Sequence, residues 1–148
     1  MPCPVAAGAP PRVQPTPCLK NVAIDAQDWP ALDQVFTEDA VADFQGIGRF
    51  EGRAAIVELI RSVVSQVAAT QHLIGNFSIV VNGDQAHAKS YLQAIQAGKG
   101  RFAGSKMTVW GEYRDRLQRT ASGWRIVYRE LVGMHAEGDI GVAVVSSQ

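Results

Sequence analysis

The chain has 148 residues, of which 47% are hydrophobic, and its 14 Lys and Arg residues balance its 14 Asp and Glu residues. This length and apolar content suit one folded domain, whereas the neutral charge excludes the basic field that gathers nucleic acid or anionic lipid. Two cysteines are too few for a disulfide scaffold, and no apolar run approaches the roughly 18 residues that span a bilayer. We therefore expect a single-domain cytoplasmic protein with no metal, membrane or nucleic-acid partner.

The first 17 residues contain six of the seven prolines. Proline lacks a backbone donor and disfavours helical geometry in the residue before it, so residues 1–17 are predicted to be a flexible leader. The folded domain is expected over residues 18–138, and residues 139–148 form a short tail.

Three helices are predicted after the leader. The first is amphipathic and ends before Pro30, and its apolar stripe contains Leu19, Val22, Ala26 and Trp29. Pro30 suits the first turn of a second, short helix, whose apolar side consists of Leu32, Val35 and Phe36. A glycine-punctuated strand or hairpin then precedes a third helix over residues 53–67, with the most regular stripe: Ile56, Leu59, Ile60, Val63, Val64 and Val67.

After residue 69 the chain is rich in β-branched and aromatic residues and is divided by glycine-containing turns. We expect four long strands joined by hairpins, including a tight turn in which Asn82 and Gly83 both adopt positive φ. Helices followed by strands indicate an α+β domain. We predict a strongly curved antiparallel sheet that the three helices wrap, with a pocket on its concave face.

Two residues stand out as candidates for chemistry. Asp25 falls within the predicted buried stripe of the first helix, where an unpaired carboxylate would be costly. His72 lies early in the first long strand, on the same strand face as Thr70 and Ile74. Each is more simply a structural residue when taken alone, but together an imidazole and a carboxylate form a general-base pair. Because the sequence contains no GxSxG, HExxH, P-loop or GxGxxG motif, the residues favour acid–base chemistry without a cofactor.

Further candidates have weaker support. Tyr91 and Tyr113 lie in the middle of predicted strands, where their hydroxyls could bind a substrate oxygen or merely pack. Arg129 could stabilise developing negative charge, or it could be a solvated arginine at a sheet edge. His87 and His135 are weaker than His72, because one lies near a turn and the other near the tail.

Six segments carry a pattern that is specific as a set: AIDAQDWPALDQVFTEDAVADF, FEGRAAIVELI, TQHLIGN, GDQAHAKSYL, VWGEYRDRLQRTASGWRI and YREL. Together they resemble the SnoaL-like branch of the NTF2-like superfamily, over residues 18 to about 135. The branch includes scytalone dehydratase, bile acid 7α-dehydratase and hexachlorocyclohexane dehydrochlorinase. The resemblance implies an α+β cone, in which a curved sheet and helices surround a deep apolar pocket.

The same resemblance implies roles for individual residues. Enzymes of the branch share an aspartate on the first helix and a histidine on the third strand, which here are Asp25 and His72. The likeness to the dehydrochlorinase extends to Lys20, five residues before the acid, and to Arg129 on the last strand. Relatives commonly pair through the outer face of the sheet, which implies a homodimer or homotrimer.

The leading hypothesis is a cofactor-independent lyase or isomerase, of dehydratase or dehydrohalogenase type, acting on a small apolar cyclic or polyketide-like molecule. Asp25 and His72 would be its catalytic residues, and the substrate-binding candidates are Lys20, Tyr91, Tyr113 and Arg129. The alternative is a non-catalytic protein of the same fold that binds an apolar ligand or serves as an assembly module. A structural subunit of a dioxygenase is a third possibility.

Overall fold

The computed structural model describes residues 16–139, with side chains from residue 20 onward, so the predicted leader and tail lie almost wholly outside the described residues. Helix α1 (Thr16–Asp25) and a 3-10 helix (Pro30–Gln34) come first, and strands β1 (Phe36–Phe44) and β2 (Gly48–Glu51) precede helix α2 (Arg53–Val64). Four long strands follow: β3 (Val67–Asn82), β4 (Gln85–Gly98), β5 (Lys106–Thr120) and β6 (Gly123–Gly138). A second 3-10 helix (Gly100–Phe102) connects β4 to β5. The α+β class and the four long strands are as predicted.

The six strands form one sheet in the order β2-β1-β6-β5-β4-β3. Neighbouring strands are antiparallel except β1 and β6, which are parallel. The expectation of a purely antiparallel sheet is therefore wrong at one pairing, because no hairpin turn joins these two strands and none constrains their direction. Register shifts in β3 and between β5 and β6 interrupt the ladders, and such bulges bend and twist a sheet.

The two faces of the sheet differ sharply in burial. Along β4, Ala88 and Leu92 are buried, whereas Lys89 and Tyr91 are exposed. We call the buried side the inner face and the other side the outer face. The inner face packs against α2, whose Ile56 is fully buried in the same apolar cluster as Ala88. The predicted apolar stripe of this helix is confirmed at its core positions, Ile56, Ile60 and Val64. The predicted extension of the helix to residue 67 is wrong, because the helix ends at Val64 and Val67 is the first residue of β3.

Helix α1 presents a different face to the core from the one that the apolar repeat predicts. Val22 is 69% exposed and Ala26 is exposed, whereas Lys20, Ala23 and Ile24 are buried. The helix ends at Asp25 and not just before Pro30, because the left-handed φ of Gln27 (56°) breaks the helical path. The predicted stripe, which extended to Trp29, therefore identified the wrong face of α1 as the buried one.

The second predicted helix is a 3-10 helix with Pro30 in its first turn. The three predicted helices are therefore two α-helices and one 3-10 helix. The predicted apolar residues of this second helix, Leu32, Val35 and Phe36, are fully buried.

The predicted hairpin after β3 is confirmed, but its turn lies one residue further on. Asn82 pairs with Gln85 in the ladder, so the two loop residues are Gly83 and Asp84. Only Gly83 has a positive φ, of 59°, and the expectation of positive φ at Asn82 is wrong.

Candidate active site

The structure brings Asp25 and His72 into direct contact although 47 residues separate them in the sequence. Asp25 is the last residue of α1, and His72 is on the inner face of β3, opposite Ala94 of β4. One carboxylate oxygen, Oδ1, lies 2.6 Å from Nδ1 of the imidazole. The other, Oδ2, accepts the backbone N–H of His72 at 2.9 Å. The carboxylate therefore holds both the ring and the main chain of the histidine.

This geometry assigns the protons of the pair. An ionised carboxylate can only accept hydrogen bonds, so the short contact requires a proton on Nδ1 of His72. In the neutral imidazole, Nε2 then carries the lone pair and can accept a proton from another molecule. The side chain of His72 is 10% exposed and that of Asp25 is 26% exposed. Asp25 is thus only partly buried, and its contact with His72 satisfies the carboxylate that the sequence placed in an apolar stripe.

Arg129 forms a second, deeper ion pair on the inner face. Its guanidinium binds Asp115 in a two-point arrangement, with Nε and Nη2 lying 2.7 and 2.6 Å from the two carboxylate oxygens. The side chains are 0% and 1% exposed, so the expectation of a solvated arginine at a sheet edge is wrong. Burial alone would lower the pKa of Arg129, but the charge and hydrogen bonds of Asp115 outweigh burial and raise it. The guanidinium is therefore a permanent positive charge.

Tyr113 connects this ion pair to helix α1. The guanidinium carbon of Arg129 lies 3.9 Å from the centre of the Tyr113 ring, and Nζ of Lys20 lies 4.7 Å from the same centre. Burial, and next the charge of Arg129, hold the pKa of Lys20 well below its ordinary value. Burial also raises the pKa of Tyr113; the charge of Arg129 opposes this shift, and the charges of Asp115 and Asp25 add to it. The hydroxyl of Tyr113 therefore keeps its proton.

Two inner-face polar atoms are buried without a hydrogen-bond partner among residues 16–139. They are Nη1 of Arg129 and Oγ1 of Thr70, which is two residues before His72 on the same strand. A buried donor or acceptor left unpaired costs about 1–3 kcal/mol, so such atoms mark positions where a bound molecule can complete the hydrogen bonding.

Not every candidate reaches this region. Tyr91 is on the outer face and 48% exposed, because strand alternation turns Leu92 inward instead. Tyr91 therefore lies on the opposite face of the sheet from His72, and its role as a substrate-binding residue stays a prediction. His87 and His135 are exposed.

Asp115 is the residue that sequence reasoning missed. It lies two positions after Tyr113 on β5, so strand alternation alone places both on one face. The signal that could have identified Asp115 is a carboxylate on the same strand face as the mid-strand Tyr113, with buried residues around it.

The part of the chain that the structure describes contains neither a metal-binding cluster nor a membrane-spanning helix. Between residues 16 and 139, no group of three His, Cys, Asp or Glu side chains is arranged to hold a metal ion. In the same part of the chain, no helix has the length and apolar character needed to cross a membrane.

Comparison with known proteins identifies the family. The SnoaL-like domain matches residues 18–130. The chain belongs to the SnoaL-like family. An uncharacterised protein of Mycobacterium tuberculosis is 35% identical over 113 residues, which are 72% of this chain and 73% of that protein.

Solved structures of the NTF2-like superfamily share the fold of this SnoaL-like protein. A candidate aromatic ring hydroxylase from Novosphingobium aromaticivorans is 28% identical, with a TM-score of 0.80 over 89% of this chain and 94% of the other. Hexachlorocyclohexane dehydrochlorinase from Novosphingobium barchaimii is 15% identical, with a TM-score of 0.75 over 91% and 92% of the two chains. At 15% identity the second likeness shows the fold alone.

Proposed function

We propose that this SnoaL-like protein is a cofactor-independent lyase or isomerase, in which His72 is the general base and Asp25 orients it. The proposal rests on two contacts of the Asp25 carboxylate: one oxygen contacts Nδ1 of the His72 ring, and the other accepts a hydrogen bond from the backbone N–H of His72. A carboxylate in this position selects the Nδ1–H tautomer and stabilises the imidazolium that forms when the base accepts a proton.

The substrate is a small, largely apolar cyclic or polyketide-like molecule, held in an apolar pocket on the inner face of the sheet. Ile74, Leu92 and Tyr113 support this site, because they cluster beside His72 and supply apolar surface. The unpaired Nη1 of Arg129 and Oγ1 of Thr70 offer a donor and an acceptor for the polar groups of such a molecule.

In an elimination, Nε2 of His72 takes a proton from carbon, and the electron pair of that C–H bond becomes the new double bond. The leaving group departs on the neighbouring carbon with its bonding electrons. Arg129 supplies the positive charge that stabilises the departing anion, since its guanidinium stays charged. Lys20 assists as a hydrogen-bond donor through the N–H groups of its side chain. An isomerisation uses the same first step and returns the proton to a different carbon.

Turnover measurements with matched variants test this function. Hexachlorocyclohexane with chloride detection, and β-hydroxy cyclic ketones with mass spectrometry of the dehydrated product, cover the two leaving-group types. A positioned base contributes about 10²–10⁴ in rate, so His72→Ala should lose roughly that factor and Asp25→Asn a large part of it. His87→Ala is the control, because its imidazole is exposed and should leave turnover unchanged.

Turnover that survives His72→Ala would contradict the assigned base. Binding of these compounds with the same affinity in the unsubstituted chain, His72→Ala and Asp25→Asn, without conversion in any of them, would instead establish the non-catalytic ligand-binding alternative.

We further propose that the protein acts in the cytoplasm as a homodimer or homotrimer. The outer face supports this assembly, because it exposes apolar side chains, among them Leu73 at 66% and Tyr91 at 48%.

A further inference from the structure

A cleft on the outer face of the sheet is bordered by positively charged side chains. It has a volume of about 240 Å³ and lies across β4, β5 and β6, where its lining includes Lys89, Arg114, Arg116 and Tyr128. A water molecule occupies roughly 30 Å³ in the liquid, so the cleft can hold a small charged group with part of its hydration shell. Because His72 is on the inner face, the cleft is separate from the candidate active site.

The register of the sheet brings these residues together. Arg116 of β5 pairs with Tyr128 of β6, and Arg114 pairs with Lys89 of β4. The ladder between β5 and β6 shifts after Arg116, because Val127 has no partner in β5. Such a bulge interrupts strand alternation and turns Tyr128 to the outer face, where its ring centre lies 4.7 Å from the guanidinium carbon of Arg116.

Two of the three cationic side chains have no carboxylate partner. Arg114 forms ion pairs with Glu112 at 2.6 Å and with Glu130 at 3.5 Å. Among residues 16–139, no carboxylate lies within ion-pair distance of Lys89 or Arg116, and both residues are exposed. They are diagonal neighbours on adjacent strands, a placement in which residues are about 7–8 Å apart. Both side chains can therefore reach one bound anion.

We propose that this cleft binds the phosphate group of a small phosphorylated molecule. A phosphate monoester carries a charge of about −1.5 to −2 at neutral pH and three acceptor oxygens, which suits two cations on neighbouring strands. The guanidinium of Arg116 donates two parallel hydrogen bonds to phosphate oxygens, and the ammonium of Lys89 acts as a point charge. Contact with the Tyr128 ring already restrains Arg116, so less side-chain freedom is lost on binding.

The surrounding charges favour a small molecule over an extended polyanion. Glu112 and Glu130 lie beside the cleft through their contacts with Arg114, and Glu130 is paired with Asp43 of β1 in the sheet register. These carboxylates would repel the further phosphates of a nucleic acid strand. The chain as a whole is neutral, so no wider basic field compensates for them.

An NMR titration of the full chain with phenyl phosphate tests the site. At about pH 7.5 this phosphate is mainly a dianion, because the second pKa of a phosphate monoester is about 6. We expect saturable shifts of the backbone amide signals of Lys89 and Arg116, without comparable shifts at His72 on the inner face. Either the absence of saturable shifts or shifts at His72 with none at Arg116 would overturn the proposal.

Variants matched in net charge show whether the two cations are responsible. Lys89→Gln with Arg116→Gln should weaken binding at least about tenfold, since losing one hydrogen bond to a charged group commonly costs about that factor. The control is Arg101→Gln with Lys106→Gln, outside the cleft, in which the lost arginine also contacts an aromatic ring, Phe102 at 4.8 Å. The control should bind as the unsubstituted chain does, and equal weakening in both double variants would overturn the site.

Two further ligands test the class of anion. Benzoate, which carries one negative charge on the same ring, should bind more weakly than phenyl phosphate, and equal affinity would overturn the choice of phosphate. A single-stranded oligonucleotide should not displace phenyl phosphate. Displacement of phenyl phosphate by the oligonucleotide would overturn the choice of a small molecule.

The phosphate site goes beyond the proposed function and does not depend on it. His72→Ala should bind phenyl phosphate with the affinity of the unsubstituted chain, because the two sites are on opposite faces of the sheet. Loss of binding in His72→Ala would place the phosphate on the inner face and overturn the proposal. Turnover that depends on His72, without phosphate binding, would refute the phosphate site and leave the lyase standing.

Discussion

Removing the carboxylate of Asp115 should destabilise the protein strongly. The substitution Asp115→Ala leaves the guanidinium of Arg129, which is 0% exposed, without its two-point partner. Breaking a buried ion pair by removing one member costs about 3–5 kcal/mol, because the remaining charge is left in an apolar medium. A domain has a total stability of about 5–15 kcal/mol, so the loss would be a large share of it. At about 2–4 °C per kcal/mol for a chain near this size, the melting temperature should fall by roughly 6–20 °C.

Urea unfolding followed by circular dichroism measures this loss. Asp84→Ala is the matched control, because Asp84 also pairs with an arginine, Arg119 at 3.2 Å, but its side chain is 80% exposed. Exposed pairs contribute about 0–1 kcal/mol, so the control should change little. Replacing the buried pair together, as Asp115→Leu with Arg129→Met, should recover much of the stability lost in Asp115→Ala. An Asp115→Ala protein as stable as Asp84→Ala would refute the idea that the buried Arg129 charge depends on Asp115.

Two further outcomes are expected. Lys20 has a folded-state pKa below its unfolded value, so between those two values the unfolded chain binds the extra proton, and stability rises with pH. The free energy of unfolding, measured relative to that of Lys20→Met, should therefore increase as the pH rises towards the ordinary pKa of lysine. A difference that does not change with pH would contradict a lowered pKa of Lys20. On the outer face, Leu73→Asp combined with Tyr91→Asp should convert a homodimer or homotrimer into a monomer by light scattering, because charges would replace exposed apolar contacts. A monomeric unsubstituted chain would exclude the outer-face assembly.

Much of the fold could be predicted because hydrophobic period and glycine placement are local signals. The stripe of α2 and the long β strands depend on residues close in sequence, so the core positions Ile56, Ile60 and Val64 are buried as expected. The phase of α1 was not predictable in this way. Its buried face contains Lys20, whose burial depends on the aromatic rings of Phe36 and Tyr113, which come from distant parts of the chain.

The same distinction applies to the site. Strand alternation placed His72 with Thr70 and Ile74, but only the tertiary fold brings the end of α1 within 2.6 Å of the imidazole. Tyr91 could not be distinguished from Tyr113 by its position within a strand. Alternation shows which residues share a face, but the packing of neighbouring elements decides which face points towards the core.

The tautomer of His72 tests the general-base assignment most directly, because a base prepared by Asp25 must carry its proton on Nδ1. Nitrogen-15 chemical shifts of the neutral imidazole distinguish protonation on Nδ1 from protonation on Nε2. The account predicts the Nδ1–H form in the unsubstituted chain and loss of that preference in Asp25→Ala. An Nε2–H imidazole that is unchanged by Asp25→Ala would contradict it.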